Sequence, residues 1–305
     1  MTPTTLFNII IAILIIDFII DHVIDYLNYK SFNDPIPEEL SDVYDQEDYY
    51  RSQNYKKDNY KFSLISSTFS FVVTLAFFFL KGFAWVDEFA RSFTDNEILV
   101  GLIFFGVIML ANEIISIPFS YYSTFVIEEK YGFNKMSKKL FITDKIKGLV
   151  LSALIGGIIL ALIIWFYEQT GDRFWIYTWV LITVFTLFFT LFYSSLIVPL
   201  FNKQTPLEEG ELRSEIESFA RKAGFTLDNI YVIDGSKRST KANAYFSGFG
   251  PKKRIVLYDT LIKDLNHKEI VGVLAHEIGH YKKKHVLINM LISVLITGLT
   301  LYILS

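Results

Sequence analysis

The residues best equipped for chemistry lie in VLAHEIGHYKKKH, residues 273–285. His276 and His280 are four positions apart, so on a helix turning about 100° per residue their imidazoles share one face and can reach one ion. Glu277 stands beside them, placed to take a proton from a water polarised by that ion. H-E-x-x-H on a helix is the pattern of zinc hydrolases, and the expected cofactor is one Zn2+ per chain. The competing reading is a solvated helix that carries two histidines by chance. With only five histidines in the chain, that coincidence has a probability of roughly one per cent.

Zinc wants a third protein ligand, and residues 286–305 contain no His, Glu, Asp or Cys. His285 is the nearest alternative, but on a continuous helix it lies about 180° round from His276 and faces away. It is expected to join Lys282, Lys283 and Lys284 as a basic flank at the membrane interface. No breaker is visible after residue 267, so one helix is expected to run through the motif and on into the apolar stretch that follows.

The elements that must position this motif are mostly apolar. The chain has 305 residues, 52% of them hydrophobic, with 29 Phe and 18 Tyr gathered in long runs. That composition points to a bilayer. Six segments are long enough to span it: about 5–27, 62–80, 98–118, 147–167, 175–200 and 286–304. Basic residues collect in linkers 28–61 and 119–146, which places those linkers and segment 201–285 on the cytosolic side, in a bacterial inner membrane or an endoplasmic reticulum. A net charge of −3 offers no field to recruit nucleic acid. The absence of cysteine removes disulfides, a thiol nucleophile and thiolate ligands.

Within 201–285, residues 207–223 read as a helix stopped by Gly224. IYVID (230–234), NAYFSG (243–248) and RIVLYD (254–259) read as short strands, with turns at Gly235, Gly248, Gly250 and Pro251. NAYF could present a free strand edge to an extended peptide, with Asn243, Ala244 and Tyr245 as substrate contacts; the alternative is that it only packs the sheet. Asp17, Asp21 and Asp25 share one face of the first span, which must meet water or cations. Asn112 and Glu113 pose the same demand in the third span, and Pro118 is expected to end that helix.

The blocks PFSYYSTFVIEEKYGFNK (118–135), PLFNKQTPLEEGELR (199–213), DGSKRSTKANAYFSGFG (234–250) and RIVLYDTLI (254–262) resemble, in order, those of the type I CAAX prenyl endopeptidases. These are integral-membrane zinc metallopeptidases. The resemblance implies a mainly α, polytopic membrane protein with a small zincin-like piece containing a short β-sheet, and seven spans around a water-filled chamber. It implies zinc held by His276, His280 and a Glu after a seventh span, so the third ligand is expected beyond Ser305 and the chain looks truncated at its C-terminus. Lys241 stands where members often carry His.

On this reading residues 1–200 are a membrane domain of five spans, and 201–305 an incomplete metallopeptidase domain that includes the sixth. The expected activity is hydrolysis of peptide bonds near the C-terminus of membrane-associated substrates, prenylated CAAX proteins or other membrane-associated peptides. Peptide or lipidated peptide and membrane lipid are the expected partners; neither nucleic acid nor an obligate protein partner is inferred. The alternatives are a heat-shock-type quality-control metallopeptidase with fewer spans, and a non-catalytic membrane protein that binds peptide or lipid.

Overall fold

A computed structural model describes residues 2–224, 229–247 and 254–305, and the chain divides into two compact units, residues 1–134 and 135–305. In the first, helix α1 (Pro3–Ser31) begins on Thr2, whose hydroxyl accepts from the Thr5 N–H, with Pro3 in the first turn. Asp45 caps α2 (Gln46–Phe79) by accepting from the Glu47 and Asp48 N–H groups. Nearly half of linker 28–61, residues 46–61, is therefore the polar half of a long helix. Its partners are α1, through the stacked pairs Phe18–Phe71 and Tyr29–Tyr60, and the end of the next span. A short α3 (Gly82–Arg91) precedes α4 (Glu97–Tyr122), which Asn96 caps.

Pro118 does not end α4. The helix passes through it and continues as a π-helical segment, Ser123–Glu128. Spanning helices tolerate proline because packing and local changes of helical pitch meet the freed backbone groups again. Beyond that segment the polar block 128–131 clamps onto α2. Asp58 accepts from Lys130 Nζ at 2.6 Å and from the Tyr131 hydroxyl at 2.7 Å, Arg51 donates to the Tyr131 carbonyl at 2.7 Å, and Tyr55 donates to Glu128. Asp17, Asp21 and Asp25 are exposed on α1.

The second unit opens with α5 (Lys138–Thr170) and α6 (Phe174–Leu196), joined by a single 3-10 turn in which Gly171 takes φ +51°. The expected spans 147–167 and 175–200 therefore sit in one helical run, Lys138–Phe201, so among the described residues five stretches rather than six have the length and hydropathy to cross a membrane. The six-span expectation counted apolar segments; the turn between these two is itself helical. A short α7 (Val198–Phe201) leads to β1 (Gln204–Pro206), a strand the sequence reading missed, and then to α8 (Glu211–Lys222), which starts four residues later than expected. Gly224, at φ +66°, stops it as expected.

The sheet follows: β2 (Ile230–Ile233), β3 (Ala244–Ser247) and β4 (Arg254–Tyr258), in the order β1-β2-β4-β3. β2 and β4 are parallel; β1 and β3 are antiparallel to their neighbours. The expected turn residues Gly248, Gly250 and Pro251 lie outside the described residues. Gly235 is required where it stands, since an added Cβ would fall 2.3 Å from the Tyr258 ring.

Helices α9 (Asp259–Asp264) and α10 (His267–Lys282) follow the sheet. α8 and α10 lay their apolar faces on it, and Ile216, Ile255, Leu257, Ile270 and Leu274 are all 1% exposed or less. Arg238 ties this piece to the membrane helices of its unit. Its guanidinium meets Asp144 on α5 at 2.7 Å, the Asn202 side chain at 2.7 Å and the Phe201 carbonyl at 2.9 Å. The final helix, α11 (His285–Leu304), packs on α6, where Trp179 Nε1 donates to the Val294 carbonyl at 2.8 Å.

Candidate metal and peptide site

Helix α10 is built to hold its register. Asn266 accepts from the Lys268 and Glu269 N–H groups while the Glu269 carboxylate accepts from the Asn266 N–H, a reciprocal cap that satisfies the first turn. Ile270, Leu274 and Ile278 then recur every four residues and are buried against the sheet. That burial fixes the rotation of the helix and leaves His276 and His280 exposed, with Glu277 half-buried beside them.

The two ligand candidates converge. His276 Nε2 and His280 Nε2 are 3.1 Å apart. Two nitrogens each about 2.0–2.1 Å from one tetrahedral ion would be separated by about 3.3 Å, so this donor pair fits a single metal.

His285 is not where the sequence placed it. The helix is broken after α10, because Lys284 adopts a left-handed conformation, φ +58° and ψ +28°. The break swings His285 back towards the motif, and its Nδ1 lies 2.9 Å from Nδ1 of His280. A basic flank at the membrane, on a helix running straight through, was the expectation; the left-handed residue overturns it. The imidazole meets the back of a ligand candidate rather than the point at which the two Nε2 atoms converge.

Glu277, His280 and His285 line a cavity of about 700 Å³ whose other walls include Tyr245 on β3, Tyr193 on α6 and Asn289 on α11. Among the described residues β3 is one of the two outer strands of the sheet, β1 being the other. The Tyr258 N–H donates to the Asn243 carbonyl at 3.0 Å. Tyr245 pairs with Val256 and Ser247 with Arg254 along β4.

The side chains of the three expected contacts are already occupied or buried. Asn243 Oδ1 accepts from the Ala244 N–H at 2.8 Å, and Ala244 is buried. The Tyr245 hydroxyl is 3.3 Å from Ser194 Oγ on α6. Burial pushes the Tyr245 phenol above the usual tyrosine value, against the hydrogen bond to Ser194, which pulls it down. Phe246 and His285, both on the cavity wall, are residues that sequence reasoning did not assign to the site. Nothing in the residue types around Lys284 announces a helix break.

Residues 25–203 match the family described as CAAX prenyl protease N-terminal, five membrane helices, and residues 206–305 match peptidase family M48. The CAAX prenyl protease 1 of Saccharomyces cerevisiae is 39% identical over 282 residues, which are 88% of this chain and 62% of that protein. The human CAAX prenyl protease 1 homolog is 32% identical over 302 residues, 85% of this chain and 64% of its own length. The chain thus spans less than two thirds of the length of these relatives. The crystal structure of S. mikatae Ste24p superposes with a TM-score of 0.91 at 39% identity, covering 98% of this chain and 72% of that one. Together these matches imply a metal cofactor and a multi-pass membrane protein, and the chain belongs to peptidase family M48, with a CAAX prenyl protease N-terminal membrane region ahead of its peptidase region.

Proposed function

We propose that the chain carries the centre of a zinc-dependent endopeptidase, acting near the C-terminus of membrane-associated peptides of the prenylated CAAX class. The observation that carries this is the convergence of the His276 and His280 Nε2 atoms beside Glu277, with Glu277 and His280 lining a cavity that also reaches strand β3. The proposed division places the membrane domain at 1–200 and the peptidase domain at 201–305, with the catalytic side in the cytosol by the distribution of basic loops.

His276 and His280 would hold the ion. When bound, zinc supplies Lewis-acid polarisation and lowers the pKa of water to about 7. Glu277 does the proton work: its carboxylate takes the proton from the attacking water and delivers it to the amine that leaves. Strand β3, at an edge of the sheet and on the wall of the same cavity, would orient an extended peptide substrate. Asn243 sets the end of that edge, and Tyr245 anchors it to α6 through Ser194. No third ligand is assigned among the described residues.

The match to a five-helix N-terminal region favours this reading over the heat-shock type, for which fewer spans are expected. The test is Glu277→Gln, assayed on a prenylated C-terminal peptide in detergent or nanodiscs, with metal content measured alongside. Loss of turnover by about 10²–10⁴-fold with metal retained is expected of a general base. Unchanged turnover sinks the mechanism, and a wild-type chain that binds peptide without cleaving it returns the non-catalytic alternative.

A further inference from the structure

We propose that His285 is a positioning residue for the metal centre: it accepts the Nδ1 proton of His280 and so holds His280 with its Nε2 lone pair turned towards His276. This rests on the metallopeptidase reading above and adds to it a residue outside H-E-x-x-H.

The geometry leaves few choices. A neutral imidazole has one N–H and one lone pair, and the bond made by one nitrogen decides what the other can offer. Nε2 of His280 faces Nε2 of His276 at 3.1 Å, and Nδ1 of His280 faces Nδ1 of His285 at 2.9 Å. For Nε2 to serve as a ligand its proton must sit on Nδ1, and the one acceptor the structure brings to that atom among the described residues is His285. The second nitrogen of a metal-ligating histidine almost always donates to such an acceptor, which sets the tautomer and the ring plane.

The backbone supports the assignment independently. A continuous helix would put His285 about 140° round from His280, out of reach. It is brought back by one left-handed residue, Lys284, at φ +58°. Such a conformation costs a non-glycine residue on the order of 1–2 kcal/mol, and strain of this kind persists where the surroundings impose it. Here the surroundings are the buried face of α10 on one side of Lys284 and the docking of α11 on α6 on the other. Accepting at Nδ1 also leaves the His285 proton on Nε2, so this ring brings a hydrogen-bond donor to the wall of the cavity it lines.

The experiment is zinc titration of the purified full chain in detergent, with thermal unfolding of the metal-free protein in parallel. His285→Ala should weaken zinc binding by about 10–100-fold while the metal-free midpoint stays at the wild-type value. His285→Asn, whose Oδ1 falls near the place of Nδ1, should restore most of that loss. Lys284→Gly, which keeps the left-handed turn available, should bind zinc like wild type. His276→Ala marks the larger loss expected of a ligand. Wild-type affinity in His285→Ala overturns the proposal, as does failure of His285→Asn to rescue a folded protein. A wild-type chain with no zinc site overturns the metallopeptidase reading itself, a different result from a site that ignores His285.

Discussion

Leu274, on the helix that carries the metal motif, is 1% exposed; Ile158, on α5, is 65% exposed. Both are apolar residues in the middle of helices of the same unit, and they face different solvents. Around Leu274 the chain behaves as a small water-soluble domain does, burying apolar side chains of α8, α10 and the sheet in one shared core. Along α5, α6 and α11 the large apolar side chains point outward, and almost nothing within the spanning stretches is buried. There the hydrocarbon takes the place of a core, and helices hold one another by close approach and by polar contacts instead. The Trp179–Val294 hydrogen bond is of that kind, whereas the Asp144–Arg238 ion pair joins α5 to the sheet-bearing piece. The sheet-bearing piece can be rigid by its own packing while the membrane helices of its unit depend on a few specific contacts.

Truncation tests this contrast most directly. Leu274→Ala is expected to cost about 2–5 kcal/mol, the range for a fully buried leucine, and to lower zinc affinity as α10 loosens. Ile158→Ala is expected to stay within about 0.5 kcal/mol, since its methyl groups exchange protein for lipid on neither side of unfolding within the bilayer. Unfolding midpoints in a fixed detergent measure both, and equal losses would break the comparison.

The close approach of α6 and α11 gives a smaller effect. An added Cβ on Gly298 would lie 2.9 Å from the Trp179 ring, whereas one on Gly156 of α5 meets nothing within 4 Å. Gly298→Ala should therefore cost about 1–3 kcal/mol by overpacking, and Gly156→Ala should be neutral or slightly stabilising. A neutral Gly298→Ala would mean that α11 is not held at this point. The smallest change is Asn266→Ala, which removes the reciprocal cap of α10 and should lower the midpoint by the equivalent of about 1 kcal/mol.

Much of this was legible before any coordinates. The shared face of His276 and His280 follows from a spacing of four. Three of the four strands are alternating or apolar runs bounded by turn residues. What stayed hidden depends on contacts distant in sequence. β1, read as Gln-Thr-Pro, has no strand character of its own and exists because Ile230–Ile233 offers it an edge. Pro118 forecasts a helix end, yet the chain continues helically through it to reach α2 with Lys130 and Tyr131. Lys284 carries no left-handed signature; its conformation reconciles two helices whose directions are each fixed elsewhere. The position of His285 was lost with it.

The pairing of α11 with α6 also sets a clock. Trp179 and Val294 are 115 residues apart, and the metal motif lies between them. At ordinary synthesis rates, on the order of ten seconds pass between the appearance of one and of the other. Until α11 has entered the bilayer and reached α6, the direction of the chain after Lys284 is not fixed and His285 has no set approach to His280. On the proposed reading, the sheet and its core can form during that interval while the third imidazole arrives only with membrane insertion, so the proposed centre would mature on the timing of biogenesis.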